Sequence, residues 1–208
     1  MMKMIGCALA ALMLLSATAA AGPLRDKARG YDDWYQRHHS YGYGGTSETT
    51  FADPGLTQPV GLDGIGDSTE WTGTYLASQA FRYAVEPSPE ALANARKAVE
   101  ALHAHLIASR RKGYLTRYVG PLNEFYLEGA EAGCRKIDNC HVVDCPPGRG
   151  FGEADKCFWL GDTSRDMYLG YFNGMTLAYD LIPDPELRAA IRADFRALID
   201  RLLADNLK

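Results

Sequence analysis

The 208 residues carry 22 basic and 26 acidic side chains, a formal charge of −4, with 47% hydrophobic and 11% aromatic residues. That balance is too acidic for a nucleic-acid binder, which needs concentrated positive charge. It suits one globular domain or part of a larger one.

Residues 1–21 read as a cleavable signal peptide: Lys3, an apolar run from Met4 to Leu15, then small residues around Ala17-Thr18-Ala19 and Ala19-Ala20-Ala21. The run is too short for a permanent membrane span. The expectation is an exported, periplasmic or extracellular chain with no membrane contact after cleavage. Loss of Lys3 with the leader moves the charge from −4 to −5. Cys7 leaves with the leader, and Cys134, Cys140, Cys145 and Cys157 remain. An even set in an oxidising compartment points to two disulfides, with three pairings open. A zinc site with His141 is the rival, but no C-x-x-C pair supports it.

Residues 22–66 are rich in Gly, Tyr, Asp and Thr without a sustained apolar period, so an irregular N-terminal arm is expected. Its aromatic content argues against disorder. From 67 to 208 an internal repeat appears. GDST at 66–69 returns as GDTS at 161–164, and Pro87-Ser88-Pro89-Glu90 returns as Pro183-Asp184-Pro185-Glu186. After the second mark, Ala91, Ala95, Val99, Leu102 and Leu106 match Leu187, Ile191, Phe195, Leu198 and Leu202, each set on one helical stripe.

The spacing predicts helices over 69–85, 89–111, 164–182 and 185–205, forming hairpins 67–112 and 162–206 joined by a cysteine-bearing loop, 113–160. The second Pro of each Pro-x-Pro opens a helix, where its missing N–H is harmless. Asp67 or Ser68 with Glu70, and Thr163 with Asp166, could cap the first helices. Those first helices are apolar over most of their circumference and should be buried. The second helices keep a charged face. The predicted class is all-α: two repeated helical hairpins of an incomplete α/α-toroid. A partner, or missing C-terminal repeats, would have to cover its inner face.

Both GD[ST] starts fall at the same end of the hairpins, so that rim is the candidate functional face. Asp67, Asp162 and Asp166 are its candidate catalytic carboxylates, with Glu70 and Asp166 as alternative members of an acid/base pair. Helix capping is the competing role for Asp67 and Asp162. Trp71, Tyr75 and Tyr168 are candidate sugar-stacking rings or core residues. Arg117 grips a substrate carboxylate or caps helix carbonyls; Arg165 binds substrate or pairs with Asp162 or Asp166. No metal or cofactor motif occurs. His103 and His105, two apart on a helix, do not share a face and are expected at the surface.

With GDSTEWTGTYLASQAFRYA and GDTSRDMYLGYFNGMTLAYDLI in view, the chain resembles bacterial exported proteins of the six-hairpin, α/α-toroid type. That superfamily includes many glycoside hydrolases, and related toroids include polysaccharide lyases and uronate epimerases. The resemblance covers about 66–206. It implies acid/base residues on the loops at one rim of a ring, a position that Asp67, Asp162 and Asp166 share. It also implies six hairpins, of which two are present. The functional expectation is a carbohydrate-active protein, with glycoside hydrolysis by carboxylate acid/base catalysis as the reaction. The alternatives are a non-catalytic scaffold or binding protein, or an inactive fragment of a longer toroid.

Overall fold

A Pro-x-Pro turn opens the second helix of each hairpin in the computed structural model, which describes residues 22–41, 43–122, 134, 138–145 and 156–206. Ser88 accepts the Ala91 N–H at 3.1 Å and Asp184 accepts the Leu187 N–H at 2.8 Å, each one residue before a first-turn proline. These side chains satisfy donors that a helix start leaves open. The expected signal peptide, 1–21, lies outside the described residues.

The chain divides into two units, the first ending at Gln36 and the second beginning at Arg37. Helix α1, Pro23–His38, carries no buried residue. Its ends are nevertheless favourable: a proline opens it, Asp26 lies in the first turn, and Arg37 and His38 lie in the last.

The second unit begins with two short antiparallel ladders. Strand β1, Ser40–Tyr41, pairs with β2, Gly45–Thr46, and β3, Glu48–Phe51, pairs with β4, Pro59–Asp63. A 3-10 turn, Ile65–Asp67, leads into helix α2, Ser68–Val85, and then α3, Pro89–Ile107. Strands β5 (Tyr118–Pro121), β6 (Cys140–Asp144) and β7 (Lys156–Leu160) form an antiparallel sheet in the order β5-β7-β6. Helices α4, Arg165–Leu181, and α5, Pro185–Ala204, complete the described chain.

This architecture overturns the all-α expectation and its incomplete toroid. The fold is mixed α/β. The supposed irregular arm supplies a helix and four strands, and the cysteine-bearing connection supplies three more. The physical reason lies in short runs such as KCFWL and CHVVD, whose aromatic and β-branched residues suit a pleated sheet. Two disulfides hold this region, Cys134–Cys140 and Cys145–Cys157. The second ties the chain just past β6 to β7, whose Cys157 stands opposite Val143.

Helices α2 and α4 touch backbone to backbone. A methyl group added at Gly73 would fall 2.0 Å from the Gly170 carbonyl oxygen, and one at Gly174 would fall 2.2 Å from the Gly73 carbonyl oxygen. Only glycine permits that approach. The two helices therefore bury their small residues against each other, and each keeps an open face. Trp71 is 50% exposed, Phe81 55% and Leu169 71%, contrary to the expectation of helices buried all round. Leu76, Val99, Tyr171, Met175, Ile191 and Leu198 form the centre of the main core, drawn from α2, α3, α4 and α5.

The histidines also depart from expectation. His105 is completely buried, and His103 pairs with the buried Asp194 at 2.8 Å. Helix α3 ends at Ile107 rather than 111, because Arg110 takes a left-handed φ of 57°. The returning chain then bonds its Thr116 N–H and hydroxyl to the His105 carbonyl.

Candidate functional site

The glycine contact aligns α2 and α4 in the same direction and brings their first turns together. Carboxylate oxygens of Asp67, Glu70 and Asp166 lie within 4.8 Å of one another. Asp67 and Asp166 are exposed, and Glu70 is partly buried. These are the residues, among those described, that could hold a cation, and their all-oxygen chemistry would suit a hard one.

Their environments differ. Burial raises the pKa of Glu70, and the neighbouring Asp166 and Asp67 charges raise it further. Asp166 is held below the usual carboxylate range chiefly by a bond from its own backbone N–H. One carboxyl group is thus biased toward its protonated form and a close neighbour toward its ionised form. This divergence is the arrangement that separates an acid from a base.

Neither capping box forms. Asp67 occupies the N-cap position of α2 without a side-chain bond to the helix, and Ser164 does the same for α4. The chain entering β5 takes over part of that role, since the Arg117 carbonyl accepts the Thr69 N–H at 3.1 Å. The Thr163 hydroxyl turns to the Leu115 carbonyl instead. Asp67 is thereby left to face Arg117, with Oδ1 3.3 Å from Nη1.

Arg117 ties the rim together. Its Nη1 donates to the Gly66 carbonyl and its Nε to the Asp162 carbonyl, both at 2.8 Å. It therefore serves backbone carbonyls at both helix starts as well as one carboxylate. Asp162 contributes through that carbonyl. It has a left-handed φ of 53°, a conformation Asp tolerates better than most residues, and it is not part of the carboxylate cluster.

The remaining expected binding residues separate. Trp71 follows Glu70 and lies one turn beyond Asp67, half exposed on the helical face that Asp67 opens. Tyr75 packs against the main core. Tyr168 also packs partly on that core, and with Arg165 it lines a groove of about 540 Å³ between α4 and α5. The expected single site thus becomes two places around the start of α4. Glu70 emerges as the carboxyl group of the rim whose pKa is raised. Its signal in the sequence is its position one turn after Asp67 on an exposed, aromatic face.

No known family model, curated protein or solved structure matches this chain. The two disulfides indicate an oxidising, non-cytoplasmic environment. No helix among the described residues is long and apolar enough to cross a membrane.

Proposed function

We propose that this is an exported carbohydrate-active protein in which Glu70 works as the proton donor and acceptor, Asp166 as the nucleophile, and Trp71 supplies a stacking ring for a sugar. The observation that carries this reading is the pair itself: two carboxyl groups within 4.8 Å, shifted in opposite directions, beside a half-exposed tryptophan. That separation is nearer the ~5–5.5 Å used in double displacement than the ~6.5–9.5 Å that leaves room for a water.

In that chemistry the Asp166 carboxylate attacks the anomeric carbon as the glycosidic C–O bond breaks, and protonated Glu70 gives its proton to the departing oxygen. Glu70, now ionised, then takes a proton from water. The resulting hydroxide attacks the same carbon, and the bond to Asp166 breaks. Glu70 is competent only below its raised pKa and Asp166 only above its lowered one, so activity belongs in the acidic range. It falls as pH rises through the Glu70 pKa.

A second reading, glycan binding without turnover, is favoured by the openness of the rim, where Asp67, Trp71 and Asp166 are all exposed. One experiment separates the two. The mature chain is incubated with a panel of neutral and acidic polysaccharides, and new reducing ends and retention on the immobilised glycan are measured together. Hydrolysis should be lost by at least a hundredfold in Glu70→Gln and Asp166→Asn while binding persists. Retention without turnover, abolished in Trp71→Ala, selects the second reading. Absence of both turnover and retention overturns the carbohydrate assignment.

A further inference from the structure

The α4–α5 groove does not belong to the acid rim, and its walls suggest a different ligand. Its volume of about 540 Å³ lies within the ~300–1,000 Å³ of small-molecule sites. Tyr114, Tyr168, Leu169 and Leu202 supply the apolar part of its lining. Leu169 is 71% exposed on a helix whose other side is packed, so a ligand body that covers it gains hydrophobic free energy.

The charges are unequal. Arg201 is matched within the groove, its Nε 2.6 Å from an Asp205 oxygen. Arg165 has no hydrogen-bond or ion-pair partner among the described residues. It is also the first residue of α4, where the positive end of the helix dipole opposes a cation. A spare guanidinium in an electrostatically adverse place is a local conflict of the kind that marks functional positions. A carboxylate in the groove would relieve it, because a planar guanidinium holds a carboxylate through two parallel hydrogen bonds. The tyrosine rings favour an aromatic body, offset or edge-on.

We propose that the groove binds a small aromatic carboxylate, with the acid group on Arg165 and the ring against Tyr114, Tyr168 and Leu202. This site stands independently of the carbohydrate reading of the rim.

The test is an NMR titration of the mature chain with 4-hydroxybenzoate and with its neutral isostere, 4-hydroxybenzamide. Saturable shifts are expected at Arg165, Tyr168, Leu169 and Leu202, with a dissociation constant of roughly 0.1–1 mM for a fragment of this size. The amide should bind about tenfold more weakly, since a hydrogen bond to a charged group is stronger than a neutral one. Arg165→Met should erase the difference between acid and amide, and Tyr168→Ala should weaken both. Arg165 is exposed, so its replacement leaves the fold intact. Glu70→Gln, which disables the rim chemistry, should leave the titration unchanged, so either reading can fail alone. Equal affinity for acid and amide, shifts confined to another surface, or no saturation at several millimolar would each overturn the proposal.

Discussion

Replacing His105 should remove a specific part of the protein's acid sensitivity. The Thr69 hydroxyl donates to the Thr116 carbonyl at 2.7 Å, so its oxygen is free to accept from His105 Nδ1, 2.6 Å away. The proton therefore sits on Nδ1, and Nε2 is buried without a partner. Desolvation alone lowers the pKa of His105 from 6.5 to about 3. Between those values the unfolded chain binds a proton that the folded chain refuses. Stability therefore rises with pH across this window: the contribution is complete above pH 6.5 and lost as pH falls toward 3. One pKa unit corresponds to about 1.4 kcal/mol, so the loss is about 2 kcal/mol from pH 7 to 5 and about 3 kcal/mol by pH 4. His105→Asn keeps a polar group near the Nδ1 position but cannot titrate. Urea unfolding of both proteins at each pH yields a difference curve in which the other titrating groups cancel. The wild-type advantage should shrink by about 2 kcal/mol from pH 7 to 5. A difference that stays flat within about 0.5 kcal/mol would refute the assignment of His105 as a neutral, desolvated imidazole.

Three further outcomes follow from the packing. Gly73→Ala places a methyl group on the Gly170 carbonyl and should cost about 3 kcal/mol or more, seen in calorimetry as a fall of roughly 6–12 °C in Tm. A change under 2 °C would mean the two helices do not touch. Arg117→Lys loses the fork that reaches the Gly66 and Asp162 carbonyls together and should cost about 1–3 kcal/mol. Hydrogen exchange should quicken at the starts of both α2 and α4, and faster exchange at one start alone would contradict the bridging role. Joint replacement of Cys145 and Cys157 by serine opens a link between residues 12 apart and should cost about 3 kcal/mol in denaturant unfolding. An unchanged midpoint would argue against that pairing.

What could be read from the sequence, and what could not, follows from the range of each interaction. The four long helices were visible because their signals are local: a proline at a first turn, and an apolar residue every three or four positions. The helix starts were less visible. Asp67 and Thr163 look like caps, but the chain entering β5 arrives from some fifty residues away and takes the Thr69 N–H and the Thr163 hydroxyl. Once those groups are engaged, Asp67 turns to Arg117, and a residue expected to stabilise its own helix becomes part of an acidic rim. Helix α1 was missed although Leu24, Ala28, Tyr31 and Tyr35 recur at helical spacing, because the Gly, Asp and Tyr residues around them read as turns. The strands were missed because runs of four or five residues carry little periodicity. The glycines were the most informative residues left unread. Gly73, Gly170 and Gly174 look like weak points in helices taken to be coated with apolar side chains. Their lack of side chains lets α2 and α4 meet at the backbone, and that contact sets Glu70 beside Asp166. The divergent carboxyl pair therefore depends on residues that contribute no chemistry of their own, and it can be tested without touching an acid. Gly170→Ala, whose methyl group would fall 2.4 Å from the Glu70 Cα, should separate the pair. In NMR titrations the Glu70 pKa should fall back toward its ordinary value, since both its burial and its neighbouring charges depend on that approach. A Glu70 titration unmoved by this substitution would show that the glycine contact does not build the rim.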